Sequence, residues 1–172
     1  MNEILRGEIV ALVERRVDLR RRANEHGDGR FAAALQRQRE TLDEQNAERI
    51  AAVIKEHGWP GIELVGEDGA EAAWLLVLNA DGDHPLQARC LELLRSAVMR
   101  GDAPAQYLAY LEDRVLTTIG MPQLYGTQFQ SDGHGGIESL PIADRAFLDE
   151  RRAQMGLPPF SELVETLAEV AE

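Results

Sequence analysis

The chain has 172 residues and a formal net charge of −12, with 44% hydrophobic and 28% charged residues. This length predicts one domain that buries roughly two-thirds of the surface its unfolded form exposes. Such an acidic surface repels phosphate backbones and anionic lipids, so we expect neither a nucleic-acid partner nor a membrane partner. The sequence has no apolar run of about 18 residues and no charged-then-apolar leader, and we therefore predict a cytoplasmic protein without a membrane span or signal peptide.

Cysteine and histidine usage argues against several kinds of site. Cys90 is the single cysteine and stands among helical apolar positions, which predicts an inert core residue in a reducing compartment. The histidines stand in turns or at helix ends, without the i, i+4 spacing of a helical metal pair. They are His26, His57, His84 and His134. We therefore predict no metal site and no cofactor, and we interpret His134 as a solvated turn residue, the alternative being a general base.

Apolar residues at helical spacing account for most of the first 119 positions. They predict helices over 2–25, 30–57, 70–79, 85–100 and 103–119. The stretch "HGDGR" at 26–30 separates the first two helices. The stretch 70–79 is apolar almost all round, so we expect this helix at the centre of the domain.

The pattern changes after the fifth helix. Glycines at the centre of 125–142 and short β-prone ends predict a small hairpin or an irregular lobe. Helical spacing returns over 143–157 and 159–172. The predicted fold is mainly α, a single-domain helical bundle over 1–172 with an N-terminal helix at 1–25, a helical core at 30–172 and a hairpin packed on the helices.

The first helix carries clustered arginines. Arg15–Arg16 and Arg20–Arg22 are interleaved with Glu14 and Asp18. We interpret them as a solvated helix face. The alternative is a surface through which this helix contacts a protein partner or a second copy of the chain.

Asn46 is an unexpected polar residue in the second helix. It shares a 3.6-residue stripe with Leu42 and Ile50, so its amide is predicted to be buried. A buried amide costs roughly 1–3 kcal/mol unless it is hydrogen-bonded. It either ties this helix to a neighbour or, with Asp43 beside it, lines a polar pocket.

Asn79 and the following "DGD" end the central helix. Asn79 suits a helix C-cap because it tolerates left-handed geometry. The stretch from Asp81 has acidic residues where a calcium loop needs them, but Leu86 replaces the glycine of the sharp turn. We therefore reject calcium binding and predict that Asp83 starts the next helix, with Asp81 and Gln87 beside the pocket.

The segment "QLYGTQF", residues 123–129, carries more polar groups than a helix cap needs. Gly120 already supplies the stop after the fifth helix. Strand alternation would place Tyr125 and Thr127 on one side of the segment. There their hydroxyls could meet Asp113 or Arg114 of the fifth helix, or Asn79, and we predict that the segment folds back over the helices as part of a site.

Several stretches together resemble a known family. They are "DEQNAERIAAVIKEHGWPGIELVGEDGAEAAWLLVLNADGDHPLQARCLELL", "YLEDRVLTTIGMPQLYGTQF" and "PIADRAFLDERRAQMGLPP". The chain is similar over about 40–160 to the uncharacterised bacterial family called domain of unknown function 6624, for which the resemblance implies no established activity. In the family pattern the central helix ends in Gln-His-Ala-Asp, whereas this chain has Asn79 at the histidine position. If the family's chemistry relies on that histidine, this chain is an altered or inactive member.

These observations give two hypotheses. The first is one polar pocket that binds a small polar molecule, with Asp43, Asp81 and Asp113 as acid–base groups of a hydrolase or lyase. The predicted ligand-binding residues are Asn46, Asn79, Gln87, Arg114, Gln123, Tyr125, Thr127 and Gln128. The second is a non-catalytic interaction or structural module, in which the same polar groups form an internal network.

Overall fold

The structure is a computed structural model that describes residues 1–25, 29–133 and 136–171. Its helices are α1 (Glu3–Glu25), α2 (Gly29–His57), α3 (Ile62–Leu78), α4 (His84–Met99), α5 (Ala105–Thr118), α6 (Leu148–Gln154) and α7 (Phe160–Ala171). Strands β1 (Phe129–Ser131) and β2 (Ile137–Ser139) pair antiparallel, with Gln130 opposite Glu138. The mainly α fold with a small hairpin is therefore confirmed. In the described ranges no helix is both long enough and apolar enough to cross a membrane.

The chain divides into two compact units, an N-terminal unit over residues 1–103 and a C-terminal unit over residues 104–172. The N-terminal unit contains α1 to α4, and the C-terminal unit contains α5 to α7 with the hairpin. The prediction that the whole chain forms one domain stays a prediction.

The core of the N-terminal unit lies where α1, α2 and α3 pack against one another and α4 packs against α3. Side chains from all four helices are fully buried there: Ile9, Ile50, Val65, Val77 and Leu94. This burial follows the apolar spacing of the sequence. Val17 shares the stripe of α1 but is 60% exposed.

Helix α3 begins at Ile62, eight residues before the predicted start. Gly66 has φ 75° and ψ 173°, so the helix is interrupted there. The first turn is held by Asp102, whose Oδ1 accepts the backbone N–H of Glu63 at 2.8 Å and whose carbonyl accepts that of Ile62 at 3.0 Å. Because Asp102 lies 39 residues further along the chain than Glu63, the sequence near residue 62 carries no sign of this cap. The apolar spacing therefore did not predict the start of the helix.

The predicted helix over 143–157 is divided in the structure. A 3-10 helix spans Arg145–Phe147, and α6 follows only from Leu148. Asp144 has φ 40°, a left-handed conformation that an α-helix cannot contain, so it stands outside the 3-10 turn. The side chain of Arg151 holds this bend by donating to the carbonyl oxygens of Ala143 at 2.6 Å and Asp144 at 3.2 Å.

Candidate functional site

One arginine joins three helices of the N-terminal unit. The Nε of Arg16, on α1, donates to Oδ1 of Asp43 on α2 at 2.8 Å. The Nη2 of Arg16 donates to Oδ1 of Asn79, at the end of α3, also at 2.8 Å. The side chains of Arg16 and Asp43 are only about a fifth exposed. The interpretation of the arginines of α1 as a solvated face is therefore wrong for Arg16, which sequence reasoning did not include in the site.

Asn79 caps α3 through its side chain. Its Nδ2 donates to the carbonyl oxygen of Leu75 at 2.7 Å, while its backbone φ of −95° is not left-handed. The predicted C-cap position is confirmed, and Asn79 occupies it without the left-handed geometry that asparagine tolerates. Because Nδ2 is used in the cap, the amide oxygen is the group that Asn79 presents to Arg16.

An open cleft of about 600 Å³ lies beside this cluster. Its walls come from α2 and from the turn between α3 and α4. The lining residues are Gln36, Arg39, Glu40, Asp43, Glu44, Ala47, Glu48, Asn79, Ala80, Asp81, Gly82 and Asp83. The structure thus brings the predicted residues Asp43, Asn79 and Asp81 together around one solvent-connected space.

The lining of this cleft is strongly acidic. Six of its residues are carboxylates, against the single arginine Arg39. The Nε of Arg39 is buried and makes no hydrogen bond to any described residue. Asp83 is used locally, since its Oδ1 accepts the backbone N–H of Leu86 at 3.0 Å and starts α4 as predicted. Glu40, Glu44 and Glu48 have no ion pair with a described residue, and their carboxylates give the cleft a negative field that favours cations.

Two predicted amides of the N-terminal unit are buried and do not line the cleft. Asn46 is 3% exposed, so the prediction that its side chain is buried is confirmed, and its Nδ2 makes no hydrogen bond to a described residue. Gln87 is 1% exposed, and its Nε2 donates to the carbonyl oxygens of Val77 at 3.2 Å and Leu78 at 3.1 Å. Gln87 therefore ties α4 to the last turn of α3, and the ligand contacts of both amides stay predictions.

Asp113 organises the C-terminal unit. It is fully buried on α5, and its carboxylate accepts from the backbone N–H groups of Leu124 at 2.6 Å, Tyr125 at 3.1 and 3.2 Å and Thr127 at 3.0 Å. The Thr127 hydroxyl donates to the same carboxylate at 2.9 Å. Each contact has the carboxylate as acceptor, which is the geometry of an ionised group that anchors a loop.

The electrostatics of Asp113 combine two opposing effects. Burial raises the pKa of its carboxyl above the usual range, and the N–H and O–H donors act in the opposite direction. An acid–base role would require the carboxylate to give up these donors in a fully buried position. The catalytic role of Asp113 stays a prediction, and this geometry favours a structural role instead.

Gln123 is a second internal tie of the C-terminal unit. It is fully buried, and its Nε2 donates to the carbonyl oxygens of Gln128 at 3.0 Å and Leu140 at 2.9 Å. Its Oε1 accepts the backbone N–H of Gln128 at 2.8 Å. The side chain therefore joins the segment after α5 to the residues that follow β2.

The other polar residues of this segment also contact neighbours within the unit. The Nε2 of Gln128 donates to the Thr127 hydroxyl at 2.9 Å, and the Tyr125 hydroxyl donates to Glu112 at 3.2 Å. Arg114 is half-buried on α5. The Thr127 hydroxyl contacts Asp113 as predicted, whereas the Tyr125 hydroxyl contacts Glu112, a residue that the prediction did not include.

Two arginines of α6 complete this network, and sequence reasoning missed both. Arg151 donates to the carbonyl oxygen of Leu124 at 2.8 Å. Arg152 is 1% exposed and donates to the carbonyl oxygens of Tyr125 at 2.6 Å and Pro158 at 2.7 Å. Burial lowers the pKa of the Arg152 guanidinium. Their partners are backbone oxygens, which carry no side-chain signal in a sequence.

The sequence of residues 3–171 matches the family of unknown function DUF6624. The chain belongs to this family. The predicted resemblance over about 40–160 is thereby confirmed, and the match extends beyond that range at both ends. No curated protein and no solved structure matches the sequence of this chain.

The predicted site residues thus fall into two groups, one in each unit. In the N-terminal unit, Asp43, Asn79 and Asp81 line an open cleft. In the C-terminal unit, Gln123, Tyr125, Thr127 and Gln128 make contacts within the unit, and Asp113 is the centre of the loop anchor. Across the described ranges, no three His, Cys, Asp or Glu side chains are grouped as metal ligands would be. His26 and His134 lie outside the described residues.

Proposed function

We propose that the chain binds a small polar molecule bearing an amine or guanidinium group in the acidic cleft of the N-terminal unit. The observation that carries this proposal is the open, carboxylate-lined space next to the fixed Arg16–Asp43–Asn79 cluster. A cleft of about 600 Å³ has the size of a small-molecule site.

The charge of the cleft supports a cationic ligand. Glu44 and Glu48 line it from α2, are exposed, and make no hydrogen bond or ion pair with a described residue. Among the described residues, Glu40 accepts only an amide N–H from Gln36, at 2.9 Å, and that contact does not neutralise its charge. A cleft lined by one sign of charge concentrates ligands of the opposite sign, and this one disfavours phosphates and carboxylates.

The finer hypothesis is an enzyme of the hydrolase or lyase type. Asp43 is oriented by Arg16 at the wall of the cleft, and Asp81 is exposed at the turn after α3. Two carboxylates in different surroundings can share the work of general acid and general base. We assign these two candidate roles to Asp43 and Asp81, and the scheme does not need Asp113.

The rival function is a non-catalytic interaction or structural module. The hydrogen-bond network around Asp113 and Gln123 supports it, because those polar side chains are satisfied within the C-terminal unit. Under either function we place the protein in the bacterial cytoplasm, without a nucleic-acid partner.

A thermal-shift screen tests the proposed ligand class. The intact chain is heated with small amines and guanidinium compounds, and with carboxylic acids and phosphate esters as anionic controls. A ligand at a hundredfold excess over its Kd stabilises the folded state by roughly 2.7 kcal/mol. We expect cationic compounds to raise the Tm and anionic compounds of similar size to leave it unchanged.

A pair of matched variants locates the binding. Glu44→Gln removes a carboxylate from the cleft, whereas Glu92→Gln removes an exposed carboxylate from α4 outside it. We expect Glu44→Gln to weaken the stabilisation and Glu92→Gln to retain it. Equal effects of the two variants, or a screen in which no cationic compound shifts the Tm, would refute the proposal.

A further inference from the structure

A second concave surface of the N-terminal unit has a different character from the acidic cleft. It is a groove of about 410 Å³ between α1 and α3. Its apolar lining residues are Val10, Val13, Val17, Ala72 and Leu75. Val17 is 60% exposed, an unusual value for a residue on the apolar stripe of its helix. The helix pair thus leaves apolar surface uncovered along two turns of α1.

The rim of this groove is acidic. Its charged lining residues are Glu14, Asp18, Arg21, Asp68 and Glu71. Asp18 is paired with Arg21, and Asp68 forms two hydrogen bonds with Arg6, each 2.7 Å long.

The two glutamates of the rim, unlike the two aspartates, have no ion-pair partner among the described residues. Glu14 lies on α1 and Glu71 on α3, both exposed, and neither has a hydrogen bond or ion pair with a described residue. One uncompensated carboxylate on each helix therefore borders the apolar groove.

We propose that this groove binds an amphipathic helix of a partner protein, with an apolar stripe flanked by lysine or arginine. The apolar lining from Val10 to Val17 spans roughly 10 Å at 1.5 Å per residue, which matches two turns of a docked helix. Basic residues on the flanks of that helix would reach Glu14 and Glu71. Charge argues against a second copy as the occupant, because each copy carries a net charge of −12.

The test uses fluorescent peptides of about 16 residues and the intact chain, with binding followed by anisotropy. The first peptide carries leucines at i, i+3 and i+7 with flanking lysines. The second has the same composition rearranged so that the leucines no longer share a face, and the third replaces each lysine by glutamate. We expect saturable binding of the first peptide, with a Kd at least ~10-fold lower than that of either control.

Variants of the chain assign the binding to the groove. Val17→Asp places a charge in the groove, and Val164→Asp is its control at an exposed valine of α7. The charge reversals Glu14→Lys and Glu71→Lys are combined in one variant and compared with Glu92→Lys combined with Glu165→Lys, all at exposed positions. We expect each groove variant to raise the Kd at least ~10-fold and each control variant to change it less than ~2-fold.

Three results would overturn the proposal. Equal affinity for the first and the rearranged peptide would mean that charge alone attracts the lysines. Absence of saturation up to about 1 mM peptide would exclude a docking site with a Kd below about 1 mM. Sedimentation that shows a dimer lost in Val17→Asp would identify a second copy as the occupant.

Discussion

The carboxylate of Asp113 holds Thr127 by two contacts: its Oδ2 accepts the backbone N–H of Thr127 at 3.0 Å and the Thr127 hydroxyl at 2.9 Å. Thr127→Val removes the hydroxyl and preserves the shape of the side chain. It leaves Asp113 and the Nε2 of Gln128 with one partner fewer, so we expect a loss of about 1–2 kcal/mol in the free energy of unfolding. Urea unfolding followed by circular dichroism measures it.

The control for this variant is Thr118→Val, at an exposed threonine of α5. It introduces the same change without removing a contact of Asp113. If both variants lose the same free energy, the hydroxyl of Thr127 is not part of the anchor. Hydrogen exchange at the amides of residues 124–127 gives a second readout, because Asp113→Ala should expose these donors to solvent.

Gly126→Ala should destabilise the chain through two separate effects. Gly126 has φ 69°, and a Cβ atom at this position would lie 2.8 Å from the ring of Phe160. We expect a loss of roughly 2–4 kcal/mol, the sum of left-handed strain and overpacking. Gly120→Ala provides the comparison, because Gly120 has φ 75° and open space around its Cβ position. It should lose only about 1–2 kcal/mol, and equal losses would show that Phe160 does not restrict position 126.

Cys90 should resist modification in the folded chain. The residue is fully buried, and burial raises the pKa of its thiol to about 12. Since the thiolate is the reactive form, labelling at pH 8 should be at least ~100-fold slower in buffer than in denaturant. Fast labelling of the native chain would contradict both the burial of Cys90 and the packing of α4.

The same thiol predicts a pH dependence of stability. Its pKa in the folded chain lies above the unfolded value of roughly 8.5. Its contribution is therefore complete below about pH 8.5, and the free energy of unfolding falls as the pH rises from there towards 12. Cys90→Ala should remove this slope. A slope that persists in the variant would have to come from other groups.

Arg16 and Asp43 should be energetically coupled. Both side chains are about a fifth exposed, so the solvent screens their interaction less than that of a surface pair. A double-mutant cycle with Arg16→Met and Asp43→Asn should give a coupling of roughly 1 kcal/mol. The fluorescence of Trp59 and Trp74, both in the N-terminal unit, reports the unfolding.

The ion pair of Arg6 with Asp68 is the control for this cycle. It joins α1 to α3, whereas Arg16 and Asp43 join α1 to α2, and its side chains are 39% and 52% exposed. We expect a smaller coupling for this pair, and one that 1 M salt removes. Coupling of the same size in the two pairs would show that the partial burial of Arg16 contributes nothing.

Much of the fold could be predicted because helical periodicity is a local property. The bounds of α1, α2, α4 and α5 were predicted to within two residues, since each carries an apolar stripe. The start of α3 was not predicted, because its first turn is capped by Asp102, which is distant in the sequence. Asn46 was predicted to be buried from its helical phase alone, and it is.

The candidate site was less predictable. Asp113 lies off the apolar stripe of α5, so periodicity left open whether it is solvated. It is buried by the loop that follows α5, whose donors are mainly backbone N–H groups. Arg16 was missed for a related reason, since its two acceptors, Asp43 and Asn79, lie 27 and 63 residues further along the chain.

The buried contacts of Gln123 have a consequence for sequence divergence within the family. One amide serves three backbone groups, in Gln128 and Leu140, so no other residue type preserves all of these bonds. The exposed side chains of Glu44 and Glu48 in the cleft make no hydrogen bond to a described residue that a substitution would break. We expect related chains to keep the glutamine and to vary the cleft glutamates, so that ligand preference could change between relatives while the C-terminal unit keeps its shape.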